Sequence, residues 1–197
     1  MIRLAADWRS NSGSTVARSW RVSPVRHPKS RPPLDDSGLQ RLALRYVERY
    51  ATTRARLVAY LDRKLGERGW AGEGVPDPAA IAARFAELGY IDDAGFAAAR
   101  ASALGRRGYG PRRIGDALRA AGIAADDARD PLAGAVENAR AAALAFARRK
   151  RIGPYADRRA DPDLRARQLA AMARAGHDFA VARFIVDLPP GEFPPED

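Results

Sequence analysis

Between about residue 39 and residue 187, apolar residues recur at intervals of three and four, and no convincing run alternates apolar with polar. The first spacing lines one face of an α-helix; strict alternation would line one face of a strand. Alanine, leucine and arginine dominate this stretch, and all three are good helix formers. The pattern predicts an all-α protein.

Helix ends are punctuated regularly. "DPAAIAARFAELG" places Asp77 at an N-cap, Pro78 at the first helical position and Gly89 at the stop. "GPRRIGDALRAAG" does the same with Gly110, Pro111 and Gly122, and "DPDLRARQLAAMARAG" with Asp161, Pro162 and Gly176. Proline suits a helix start because the N–H it lacks has no intrahelical partner there, and glycine suits a stop because it turns left-handed cheaply.

These stops carry a period. Gly69, Gly122 and Gly176 follow at intervals of 53 and 54 residues, and Leu65, Leu118 or Met172 stands one turn before each. A fixed period of this size marks a repeated supersecondary unit. The expectation is a tandem array of three three-helix repeats, about nine helices, elongated and curved, over residues 37–90, 91–131 and 132–188. The third helices are expected at 78–88, roughly 124–130 and 178–187. The first repeat carries an extra turn in "YLDRKLGERG", and the third carries an insertion in "YADRRADPD".

Both ends of the chain read differently. Residues 1–36 combine seven Lys/Arg and three Asp with Ser and Pro and have little apolar periodicity, which predicts a flexible basic arm. Trp8 and Trp20 are its candidates for local docking. Residues 189–197, "PPGEFPPED", form a short acidic, proline-rich tail.

Charge sharpens the picture. The 197-residue chain has 34 Lys+Arg against 24 Asp+Glu, a formal net charge of +10, and such an excess favours polyanionic partners. The excess follows the repeat: residues 39–70, 101–119 and 140–159 are net +5, +4 and +6, whereas 71–100 and 120–139 are each −3. Stacked units could therefore align their basic clusters along one side. The chain has no cysteine, no apolar run of membrane-spanning length and no signal-peptide core at its N-terminus. The expectation is a cytoplasmic protein.

Candidate chemistry is sparse. "GRRGYGPRRI" (105–114) lacks the long glycine loop and the Lys-Ser/Thr ending of a nucleotide-phosphate loop. Its backbone reads as a joint between two helices. Arg112 and Arg113 fall in the first turn of the second helix, where the dipole disfavours cations. They are either solvated surface arginines or partners of an anion that also uses the free N–H groups of that turn. Asp92 and Asp93 in "LGYIDDAGF" could suggest an acid pair. The better reading is Asp92 as N-cap, Asp93 as dipole complement, and Tyr90, Ile91 and Phe96 as a hydrophobic staple. "FARRKRIGPY" ends a helix with Arg148, Arg149, Lys150 and Arg151, favourable on dipole grounds and also available to phosphate or carboxylate. His27 and His177 are the only histidines and show no ligand spacing, so no metal or other cofactor is expected. Ser102, Thr52 and Thr53 have no histidine base, so no hydrolase and no enzyme is expected.

The stretch "ELGYIDDAGFAAARASALGRRGYGPRRIGDALRAAGI" (87–123) resembles the central repeat of the RecX regulatory proteins. Leu88, Gly89, Tyr90, Asp92, Asp93 and Phe96 fit at its first joint. Gly108, Gly110, Pro111, Arg113, Ile114, Leu118, Gly122 and Ile123 fit at its second joint and the helix that follows. Looser similarity extends over roughly 39–187, while the arm lies outside it and Tyr60 departs from the charged residue more usual there. The resemblance implies a modulator that binds the helical groove of the RecA filament on single-stranded DNA; a non-enzymatic monomer is expected. The resemblance also implies suppression of filament growth, ATP hydrolysis and strand exchange. Arg106, Arg107, Tyr109, Arg112 and Arg113 would form the central contact, with Arg148, Arg149, Lys150 and Arg151 further along. Direct, largely non-specific DNA binding is the alternative, since the charge suits phosphate but no second helix shows residues plainly aimed at base edges.

Overall fold

The structure, a computed structural model, describes residues 32–193. Among the described residues, regular structure consists of nine α-helices, one 3-10 turn and one isolated bridge between Leu34 and Trp70. The helices fall into three consecutive groups, each with its own core. The first comprises α1 (Asp36–Arg49), α2 (Arg54–Arg68) and α3 (Pro78–Glu87); the second α4 (Asp93–Arg106), α5 (Pro111–Arg119) and α6 (Ala125–Glu137). The third comprises α7 (Ala139–Lys150), α8 (Pro162–Arg174) and α9 (Phe179–Asp187), with the 3-10 turn Gly153–Tyr155 after α7.

The punctuation works as the sequence implies. Asp77 accepts from the N–H of Ala80 at 2.9 Å, Asp92 from Gly95 at 2.8 Å and Asp161 from Leu164 at 2.8 Å. Each satisfies a donor that the helix itself cannot, worth about 1 kcal/mol. Gly69, Gly122 and Gly176 all have positive φ, so the chain leaves each second helix by a left-handed residue.

One apolar stripe of each second helix reaches the centre of its group. Leu57 and Leu61 of α2, Ile114 and Leu118 of α5, and Met172 of α8 are fully buried. Burying one such side chain contributes roughly 1.5–3 kcal/mol. Leu65, one turn before Gly69, is only half-buried; the extra turn of α2 moves the deep position back to Leu61. In α8 the position one turn before Met172 holds Gln168, which is buried and whose Oε1 finds no partner among the described residues.

Three boundaries differ from the expectation. Residues 32–36 belong to the first group rather than to the arm: Leu34 is buried, its N–H donates to Gly69 O at 2.9 Å, and its carbonyl accepts from Ala71 at 2.8 Å. Arg68 adds two hydrogen bonds to the carbonyl of Pro32. One apolar residue and a matched pair of backbone bonds are enough to tie the segment down, and composition averages over both. The rest of the arm, with Trp8 and Trp20, lies outside the described residues. The boundary at 131 falls inside α6, which carries Pro131 in its interior and runs on to Glu137. Proline removes one N–H and crowds the preceding turn, but α6 is held along its length against α4 and α5. The tail also begins later: Gly191 donates to Pro154 O at 2.9 Å, and Phe193 lies against Tyr155 with ring centroids 5.1 Å apart.

Candidate interaction site at the unit junctions

"GRRGYGPRRI" is the joint between α4 and α5, and it is also the place where the second group meets the third. A Cβ at Gly108 would lie 2.7 Å from the amide nitrogen of Phe146 and 3.0 Å from the carbonyl of Ala142, both on α7. A Cβ at Gly110 would lie 2.7 Å from the amide nitrogen of His177. Only glycine lets the two backbones come this close. The N–H of Gly110 donates to Ala175 O at 2.9 Å and that of Arg112 to Gly176 O at 3.3 Å. His177, buried behind α8, places Nε2 3.1 Å from Gly108 O.

This arrangement bears on the two readings of that turn. The N–H of Arg112 in the first turn of α5, and that of Gly110 at its cap, are taken by the carbonyls that end α8. Two helices thus meet C-terminus to N-terminus, a favourable alignment of dipoles that satisfies orphan donors and acceptors together. The guanidinium groups of Arg112 and Arg113 stay exposed, and Arg112 has only a loose 3.7 Å contact with Asp178.

The junction between the first and second groups repeats the scheme with other side chains. Thr53, the N-cap of α2, donates its hydroxyl to Ala121 O at 2.6 Å, and Gly122 packs directly against Ala55. Asp93 adds what a helix-start residue alone would not. It accepts from the main-chain N–H of Arg54 at 3.0 Å and from its Nε at 2.8 Å, and it is buried. Asp127 completes the set at 3.3 Å from the same guanidinium. Hydrogen bonding to Asp93 pushes the Arg54 pKa still higher. Thr53, Arg54 and His177 were not legible as junction residues, although Thr53 stands four positions before Leu57 as Gly110 does before Ile114. The staple reading fails as well: Ile91 joins the first core, while Phe96 packs on the second under the Arg56 guanidinium at 5.1 Å.

The basic residues are surface features that the junction draws together. Arg106 donates to Ser102 Oγ at 2.6 Å, and the Arg107 guanidinium lies 5.6 Å from the centroid of the half-buried Tyr109. From the last turn of α7, Arg149 crosses to donate to the carbonyl of Arg107, its guanidinium lying 5.4 Å from the Phe146 centroid. The runs at 106–113 and 148–151 therefore meet at this bond. Arg148 and Lys150 extend the same turn, and Arg151 ends α7 with a left-handed φ of 53°. Among the described residues, Arg106, Arg107, Arg113, Arg148, Arg149, Lys150 and Arg151 form no ion pair with a carboxylate. Beside them, α4, α6 and α7 enclose a groove of about 690 Å³ floored by alanine and glycine, with Arg106 and Tyr109 on its border.

Among the described residues, no three His, Asp or Glu converge as metal ligands, and no helix is long and apolar enough to cross a membrane. The model of the RecX second three-helix domain matches residues 92–132. A solved structure described as regulatory protein RecX superposes with a TM-score of 0.52 at 23% identity, over 77% of this chain and 73% of the other. Regulatory protein RecX of Myxococcus xanthus (strain DK1622) is 32% identical over 179 residues, 84% of this chain and 92% of that relative. The chain belongs to the RecX family of regulatory proteins.

Proposed function

We propose that this protein regulates recombination without catalysis, by binding the RecA filament on single-stranded DNA and inhibiting its ATP hydrolysis, growth and strand exchange. Membership of the RecX family supports a regulatory role. The observation that carries the contact surface is the bond from Arg149 to the Arg107 carbonyl, which joins two runs of cations into one face, where among the described residues only Arg112 contacts a carboxylate. In this reading Arg106, Arg107, Tyr109, Arg112 and Arg113 form the central contact, and Arg148, Arg149, Lys150 and Arg151 continue it. Cations that pair with no carboxylate among the described residues are available to acidic protein surface and to phosphate together. The three helical groups α1–α3, α4–α6 and α7–α9 act as a spacer that sets the distance between successive contacts.

The test is DNA-dependent ATP hydrolysis by the host recombinase, titrated with this protein on preformed filaments with bare DNA in large excess. Inhibition at substoichiometric amounts supports the filament as target. Inhibition only at amounts sufficient to coat the DNA overturns this reading and puts direct, salt-dependent DNA binding in its place.

A further inference from the structure

The first group carries an aromatic and cationic cluster that neither the junctions nor the proposed filament contact uses. Tyr46 of α1 stacks on Tyr60 of α2 with ring centroids 4.3 Å apart and planes 18° from parallel. Tyr50, the C-cap of α1, lies 5.3 Å from Tyr46 and continues the series. Tyr46 and Tyr60 are half-buried against the first core, whereas Tyr50 keeps 50% of its surface in water. The outermost ring thus rests on Tyr46, which Tyr60 holds in turn, and stays half-exposed.

Cations surround these rings. The Arg49 guanidinium lies 5.6 Å from the Tyr50 centroid, and Arg63 and Lys64 lie 5.5 and 5.9 Å from that of Tyr60. Lys64 and Arg63 share Glu67. Arg49 forms no ion pair with a carboxylate among the described residues. Every nucleobase offers a flat π-face, and every linkage beside it carries a negative charge. A held, half-open tyrosine next to an arginine without a carboxylate partner among the described residues matches both features at once, without reading sequence.

We propose that Tyr50, backed by Tyr46 and through it by Tyr60, with Arg49 beside its ring, is a stacking site for an unpaired base of single-stranded DNA. A duplex keeps its bases stacked inside and offers this ring nothing. The site lies apart from the 106–113 and 148–151 runs, so it stands whether or not the filament is the regulatory target.

The experiment is binding of the full chain to a fluorescein-labelled oligodeoxythymidylate, with no recombinase present, across a series of salt concentrations. Tyr50→Ala is expected to weaken binding about tenfold at fixed salt and to leave the salt dependence unchanged, because stacking displaces no counterion. Tyr50→Trp is expected to bind at least as tightly as the native chain. Arg49→Ala is expected to lower the slope of log affinity against log salt by about 0.7, one phosphate contact on a single strand. The proposal is overturned if the native chain does not bind, if Tyr50→Ala binds as the native chain does, or if Tyr50→Trp is as weak as Tyr50→Ala. None of these outcomes touches the filament reading, which the ATP-hydrolysis titration tests by itself.

Discussion

Arg54 and Asp93, 39 positions apart, are joined twice: the carboxylate accepts from both the main-chain N–H and the Nε of the same arginine. The pair ties the start of the first group's central helix to the start of the second group. Asp93 is buried and the Arg54 side chain about half-exposed, so the acid bears most of the desolvation. Asp93→Ala leaves an N–H and a guanidinium short of their acceptor and is expected to cost about 1–3 kcal/mol in urea unfolding. Asp93→Asn retains one acceptor and is expected to cost less. Equal stability of the alanine variant and the native protein would show that the junction does not depend on the pair.

Two glycines separate packing from helix propensity. A Cβ at Gly110 meets the backbone at the end of α8, whereas one at Gly134 meets nothing within 4 Å. Gly110→Ala must push two groups apart and is expected to destabilise by about 1–3 kcal/mol. Gly134→Ala fills open space in the middle of α6 and is expected to stabilise by about 0.5–1 kcal/mol. Thermal unfolding of the two variants should shift in opposite directions.

His177 makes the junction sensitive to acid. Burial lowers its pKa, partly opposed by the bond to the Gly108 carbonyl, and Nδ1 has no partner among the described residues. In the unfolded chain a histidine titrates near 6.5. A base whose folded pKa is depressed leaves stability intact above that value, and stability falls as the pH drops below it, because the unfolded state then binds the extra proton. Unfolding measured between about pH 7.5 and 5 should show this loss in the native protein and a flatter profile in His177→Gln. Identical profiles would remove His177 as the cause.

Reversing Arg112 and Arg113 to Glu should move function and stability in different directions. Both side chains are exposed, in a first turn where acids are favoured over cations. Stability is expected to hold within about 0.5 kcal/mol or to rise slightly, and circular dichroism should be unchanged. Inhibition of recombinase ATP hydrolysis is expected to be lost. Undiminished inhibition would place the contact elsewhere.

The helices, their caps and their period were legible in the residues because each depends on neighbours within a turn or two. Asp77, Asp92 and Asp161 cap the N–H groups three positions on, and the left-handed stops need only a glycine in place. What no local rule could supply is how one group meets the next. The N–H groups of Gly110 and Arg112 at the start of α5 find their acceptors in the carbonyl ends of α8, more than sixty positions later. Asp93 reads locally as a dipole complement and globally as the partner of Arg54. Backbone donors, carboxylates and a buried imidazole are satisfied by whichever group folding brings within 3 Å, and sequence distance does not enter that choice. Sequence alone therefore determined the repeated helical unit and its charge, while the tertiary structure decided which polar groups the units spend on one another and which cations they leave without a carboxylate.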